Sequence, residues 1–188
     1  KNSKRPVIVT GGGVAHSGAE EELFALSNSL NIPVVATMMG VGTFPQNSQN
    51  YFGMIGIFGD KAANQILKDS DLIISLGARF NDRITCMFKD CNLAEKFIQV
   101  DINPLEIGRV IDGVDSICAD VSDFLSTLNK MPKSVDFSPW LEKAQGLRSL
   151  NTPNKKISNM LHSFEVIQHI EKFTKDKDII FTSEVGQH

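Results

Sequence analysis

Asp71-Leu72-Ile73-Ile74-Ser75-Leu76-Gly77-Ala78-Arg79-Phe80-Asn81-Asp82-Arg83 is the stretch on which the fold turns. Its first part is apolar at odd and even positions alike. A strand of that kind has to be buried on both faces, as in a parallel sheet covered by helices. Gly77 ends the run, and two arginines and a carboxylate follow at once. Charge placed directly after a buried strand belongs to a loop at the strand's carboxyl end. That is where parallel sheets of this kind hold their ligands.

The same alternation extends in both directions. Upstream, Asp60 to Asp69 reads as a helix with Ala63, Ile66 and Leu67 facing inward. Ile32-Pro33-Val34-Val35-Ala36-Thr37 reads as a strand with Pro33 at its opening, where a missing N–H matters least. Ala19 to Leu30 is a helix with Leu23, Leu26 and Leu30 along one face, and Pro6 to Thr10 is a buried strand stopped by Gly11-Gly12-Gly13. Downstream, Lys96 to Val100 is a strand running into Asp101-Ile102-Asn103-Pro104. Leu105 to Val110 is a short helix, Ser116-Ile117-Cys118 a short strand, and Val121 to Asn129 a helix. Alternating strands and helices predict an α/β fold, a doubly wound and mostly parallel Rossmann-like sheet of about six strands with helices on both faces.

Beyond Met131 the texture changes. Residues 1–131 read as one domain and 132–162 as a linker carrying a helix over Trp140 to Leu150, with a loose polar stretch after it. Residues 163–188 hold a helix, Ser163 to Thr174, and a strand, Asp178 to Thr182, that arrives with no partner of its own. The chain starts without Met and stops just after an apolar run, which suggests a piece of a longer protein.

Composition narrows the function. Hydrophobic residues make up 41 % and charged residues 22 % of the 188, ordinary values for a globular chain. A net charge of −3 gives no footprint for nucleic acid or for an anionic membrane. No apolar run approaches the roughly 20 residues needed to span a bilayer. Cys86, Cys91 and Cys118 lack metal-ligand spacing and read as reduced, partly buried thiols of a cytoplasmic protein. The histidines have no Ser or Cys partner pattern, Glu20-Glu21-Glu22 reads as a solvated helix face, and no metal cluster or catalytic triad stands out.

Four motifs remain. Thr10-Gly11-Gly12-Gly13 either lets backbone approach a phosphate or makes a tight turn; it is not the GxGxxG of a dinucleotide fingerprint. The Arg79–Arg83 loop either clamps a diphosphate or orients a ribose, or else is a surface loop paired with itself. Asp101, like Asp120, either accepts from ribose or ribityl hydroxyls or caps a helix. Gly53-Met54-Ile55-Gly56-Ile57-Phe58-Gly59 offers an apolar bed for a planar ring, or a packed core loop, and Met38-Met39-Gly40-Val41-Gly42 is similar.

Taken in order, these motifs resemble the central domain of acetolactate (acetohydroxyacid) synthases. The likeness covers residues 6 to about 128: Pro6-Val7 into the glycine turn, Ile32-Pro33-Val34, Gly40-Val41-Gly42, Ala63-Asn64, Ser70-Asp71-Leu72-Ile73, Asp101-Ile102 and Glu106-Ile107-Gly108. Gly77-Ala78-Arg79-Phe80-Asn81-Asp82-Arg83 is its specific piece. Thr182 to His188 resembles the start of the diphosphate-binding domain of the same enzymes. The resemblance implies decarboxylation of pyruvate on thiamine diphosphate and transfer of the two-carbon unit to a second 2-oxo acid, in branched-chain amino-acid biosynthesis. It further implies Mg²⁺ on the carboxyl-terminal domain, a glutamate of the amino-terminal domain, a homodimer or tetramer, and room for a regulatory subunit. A central domain of this kind is not catalytic alone.

By the same resemblance the central domain binds FAD. Its contacts map to Gly12, Gly13, Thr37, Met38, Gly56, Gly77, Arg79, Asp82, Arg83, Asp101, Ile102, Asp120 and Val121, with Val185, Gln187 and His188 toward the thiamine diphosphate. Two departures stand out: Phe58 replaces a histidine usual in flavin-dependent members, and Ala119 replaces a glycine. Tyr51-Phe52-Gly53 through Phe58 is similar to the flavin-free catabolic synthases, which lack the arginine segment; that segment favours FAD. Alternatives are a sister enzyme (sulfoacetaldehyde acetyltransferase, glyoxylate carboligase or an inositol-pathway hydrolase) or a non-catalytic nucleotide-binding module.

Overall fold

The structure, a computed structural model, describes residues 3–85, 97–111, 115–151 and 161–182. Six strands form one parallel sheet: β1 (Pro6–Thr10), β2 (Val34–Ala36), β3 (Tyr51–Met54), β4 (Leu72–Leu76), β5 (Phe97–Asp101) and β6 (Asp115–Cys118). Their order is β3-β2-β1-β4-β5-β6, so the chain winds outward from β1, returns to β4 and winds the other way. The expected doubly wound α/β fold is the observed one, and its switch point lies between β1 and β4.

Side-chain alternation explains why both faces are covered. Along β1, Val7 and Val9 point to one side with Ile73, Phe97 and Phe52. There α3 (Lys61–Asp69) supplies Ala63, Ile66 and Leu67, and α6 (Ser138–Gly146) supplies Trp140, Leu141 and Ala144. Ile8 points to the other side with Val34, Leu76 and Val100, against α1 (Gly12–Ser17), α2 (Glu20–Leu30) and α5 (Val121–Lys130). Leu23, Leu26 and Leu125 are fully buried on that side, each contributing roughly 1.5–3 kcal/mol of transfer free energy. Asp120 starts α5 by accepting the Ser122 N–H at 2.8 Å, the usual service of an N-cap carboxylate.

The segment after α5 packs on the sheet. The Trp140 indole donates to the Pro6 carbonyl at 2.9 Å inside the core. Arg148, in a 3-10 turn over Leu147–Asn151, donates to the carbonyls of Gln49 (2.9 Å) and Tyr51 (2.7 Å) and lies 4.4 Å over the Phe52 ring. Two compact units result, residues 1–152 and 153–188. In the second, α7 (Ser163–Thr174) forms where expected, capped by His162 and Glu165, with the His162 N–H donating to Glu165 Oε2 at 3.0 Å.

Several expectations need correction. Gly53 and Met54, read as the start of a glycine-rich apolar loop, belong to the edge strand β3; Gly53 sits at φ +98° with the Asp60 side chain filling the space a Cβ would take. The glycine run was expected to stop β1 in a turn, but Gly12 and Gly13 open α1, packing having overridden their poor helix propensity. A short helix α4 (Asp82–Thr85) follows the arginine loop. Leu105–Val110 is a series of turns rather than a helix, because Gln99 reaches across it: its Oε1 takes the Gly108 N–H (3.1 Å) and its Nε2 donates to the Glu106 carbonyl (3.1 Å). The α-helix expected over Trp140–Leu150 begins at Ser138 and tightens to 3-10 after Gly146. Asp178–Thr182 forms no strand, and Ile179, Ile180 and Phe181 are exposed. Cys118 is exposed rather than partly buried, while Cys86 and Cys91 lie outside the described residues.

Candidate functional site

Parallel strands all end at the same edge, so their carboxyl-terminal loops share one rim. Along it, in sheet order, come Gly56-Ile57-Phe58 after β3, Thr37-Met38-Met39 after β2, Gly11-Gly12-Gly13 after β1, Gly77-Ala78-Arg79 after β4, Asp101-Ile102 after β5 and Ala119-Asp120 after β6. The sheet ladder runs on into these loops: Ile55 N–H donates to Ala36 (2.9 Å), Thr37 to Thr10 (2.9 Å), Gly11 to Leu76 (2.9 Å), Gly77 to Val100 (2.9 Å) and Ala119 to Asp101 (3.1 Å). The rim is therefore held by backbone, which leaves its side chains to do other work.

At the switch point the glycines serve one another. Gly13 donates its N–H to the Gly77 carbonyl at 2.9 Å. Gly77 has φ +55°, and a Cβ there would fall 2.6 Å from the Gly13 Cα. Of the three glycines after β1, Gly12 is the one with room, its nearest neighbour being the Met39 Cβ, 3.3 Å from a notional Cβ. Gly11 and Gly13 are needed for the close approach to the Gly77 and Ala78 backbone rather than for a turn.

The remaining predicted residues fall into four groups. Met38 (66 % exposed), Ile102 (69 %), Arg79, Asp82 and Arg83 stand out from the rim, and Gly56 carries the loop that presents Phe58 (83 %). Thr37 and Asp101 are buried at the ends of their strands; the Asp101 carboxylate accepts the Asn103 N–H at 2.9 Å. Asp120 and Val121 are occupied by α5, the first as its cap and the second in the core. Val185, Gln187 and His188 lie outside the described residues.

Two loops from opposite halves of the sheet meet over this edge. Gly56 has φ +115°, and its neighbour Ile57 donates its N–H to the Arg83 carbonyl at 3.1 Å. Beneath them Phe80 and Ile84 are buried, Phe80 edge-on to Phe97 with ring centroids 5.1 Å apart. Arg79 makes no hydrogen bond or ion pair among the described residues. Unconsumed positive charge beside exposed Met38, Met39, Ile57, Phe58 and Ile102 suits a ligand with an anionic portion and a flat apolar one. A flavin nucleotide has both, and the residues present fit it. No group of metal-binding side chains occurs among the described residues. Sequence reasoning placed Ile57 in an apolar run, noted Phe58 where flavin-dependent members usually carry histidine, and quoted Asn64 in the family pattern without giving it a role; how the loop closes is a contact that no periodicity records.

A Rossmann-ordered sheet with an open, partly apolar carboxyl edge defines a doubly wound α/β domain, a class that holds its ligands at that edge. Residues 1–128 match the central domain of thiamine pyrophosphate enzymes, and the chain belongs to that family. It is 36 % identical over its whole length to the probable acetolactate synthase large subunit of Methanococcus aeolicus. It is 37 % identical over 99 % of its length to the chloroplastic acetolactate synthase 1 of Zea mays, and 34 % identical over 99 % to the acetolactate synthase large subunit of Corynebacterium glutamicum. The chain spans about a third of these relatives, 34 %, 30 % and 31 % of their lengths.

Proposed function

We propose that this chain is the flavin-site domain of an acetolactate-synthase-type carboligase. In this reading the whole protein decarboxylates pyruvate on thiamine diphosphate with Mg²⁺ and joins the two-carbon unit to a second 2-oxo acid, in the cytoplasm, for branched-chain amino-acid synthesis. Its further domains supply that chemistry. The present chain holds FAD and supports assembly into a dimer or tetramer, with a regulatory subunit as a possible partner. Residues after about 163 begin the diphosphate-binding domain.

One observation carries the proposal: the rim of the sheet carries Arg79, which has no partner among the described residues, together with exposed apolar side chains of three other strand ends, within a chain whose full length aligns with acetolactate synthase large subunits. Here the protein's own residues bind and orient. Arg79 and Arg83 take the diphosphate, Asp101 the hydroxylated linker, and Met38, Ile57, Phe58 and Ile102 exclude water from the ring. Acetolactate formation by the full-length protein, given pyruvate, thiamine diphosphate, Mg²⁺ and FAD, tests the reading. Product is expected. A folded, cofactor-loaded protein that yields none would move the substrate to a sister enzyme.

A further inference from the structure

Between β3 and α3 the chain makes a closed loop. Its base is tied by Asp60, whose N–H donates to the Met54 carbonyl at 2.7 Å and whose Oδ2 accepts the Met54 N–H at 2.9 Å. Its tip carries Ile57 and Phe58, both exposed. Between base and tip lies Gly56, held from below by one side chain. Asn64, on α3, accepts the Gly56 N–H on Oδ1 at 2.9 Å and donates from Nδ2 to the Gly56 carbonyl at 2.9 Å. That carbonyl also accepts the Gly59 N–H at 2.9 Å.

We infer that Asn64 is a positioning residue that sets the β3 loop against the arginine loop and so shapes the cofactor edge; this rests on the flavin reading above. Gly56 occupies φ +115°, a region open to glycine, and a Cβ there would meet the Arg83 carbonyl at 3.1 Å. Holding both polar groups of Gly56 fixes that backbone turn. That turn aims the Ile57 N–H at the Arg83 carbonyl, the bond that ties the β3 loop to the arginine loop. Asp60 closes the base without help from Asn64, so removing the amide frees the tip while leaving the loop in place. The effect is on preorganisation: an apolar tip already held in its bound pose loses less freedom when a ring packs on it.

The test uses the full-length protein with FAD as the probe, in wild type, Asn64→Ala and Asn64→Asp. Asp retains an acceptor for the Gly56 N–H and loses the donor, which separates the two halves of the clamp. Flavin affinity is read from the visible spectrum on titration, and amide hydrogen exchange is followed at Ile57–Gly59. For Asn64→Ala a dissociation constant raised about tenfold is expected, the scale of ordering a freed side chain at the loop tip on binding. Exchange at Ile57 should quicken by more than at the amides of the core strands, and Asn64→Asp should fall between. Should Asn64→Ala fold poorly, Asn64→Asp carries the test on the same two readouts. Wild-type affinity and wild-type exchange at Ile57 in the variant would overturn the positioning role while leaving the flavin reading intact. A wild type that binds no FAD would remove the flavin reading, and this inference with it.

Discussion

The two ends of the parallel sheet are finished in opposite ways. At the amino end polar groups are used up within the chain. The Asp71 carboxylate collects the Ser3 hydroxyl (2.5 Å) and the N–H groups of Lys4 (2.9 Å) and Arg5 (2.8 Å), and Arg5 Nε donates to the Asp69 carbonyl at 2.6 Å. Trp140 closes on Pro6, Phe137 N–H donates to Leu30, and Asn31 bridges Asp136 and Ser138. At the carboxyl end the backbone is equally well tied, but the side chains are not: Met38, Phe58 and Ile102 face outward and Arg79 has no partner among the described residues. Exposed apolar groups gathered at one rim cost solubility and return nothing to folding, so their use lies outside the domain. Polar side-chain partners are concentrated at one end, and in the reading proposed above binding falls to the other.

The largest effect expected of that division comes from Trp140→Ala. It empties a buried indole site on the α3 side of the sheet and strips the Pro6 carbonyl of its donor. A loss of about 3–5 kcal/mol is expected for such a truncation, read from urea denaturation. Flavin affinity measured below the unfolding transition should be untouched. A variant as stable as wild type would mean that α6 merely rests on the sheet, and the contrast between the ends would lose its strongest support.

Arg79→Ala probes the other end. The side chain is exposed and unpaired, so unfolding free energy should move by less than about 0.5 kcal/mol. Flavin retention should fall about tenfold, the scale of one lost charged contact. Flavin content unchanged in the purified variant would remove Arg79 from the cofactor edge. A large stability loss would show instead that the rim serves folding.

How much of this was legible in the sequence follows the same division. Buried strands announce themselves by composition, and Leu72–Leu76 with its charged sequel gave the sheet, the edge and the arginine loop together. Val7, Ile8 and Val9 did the same for the central strand. What escaped depends on contacts between distant residues. Tyr51–Met54 is short and interrupted by a glycine, and only the Asp60 side chain beneath Gly53 explains its course. Leu105–Val110 has a helical look that Gln99 overrules from the neighbouring strand. Gly11 and Gly13 resemble a phosphate turn in sequence, yet their need for glycine comes from the Gly77 backbone, beyond three helices and three strands. Asp120 had two possible services, and a helix that starts at the next residue explains its capping bond.

The smallest effect lies with Asp71 and depends on pH. Partial burial pushes its carboxyl up, but the Ser3 hydroxyl, the N–H groups of Lys4 and Arg5 and the Arg5 charge outweigh it and hold the group below the usual carboxylate range. A carboxyl lowered in the folded state binds its proton more readily once unfolded. Its contribution is therefore complete above the unfolded value of about 4 and fades as pH falls through the folded one. Solvent reaches this site, so about 1 kcal/mol or less is expected from the whole cluster. Asp71→Asn should be less stable than wild type by that amount at pH 7, and the two should converge as the medium is acidified below about pH 4. Because the rim lies at the opposite end of the strands, flavin affinity should stay the same in both proteins at neutral pH. A gap that persisted in acid would place the effect of the substitution in packing rather than charge, and the amino end would then be sealed by shape alone.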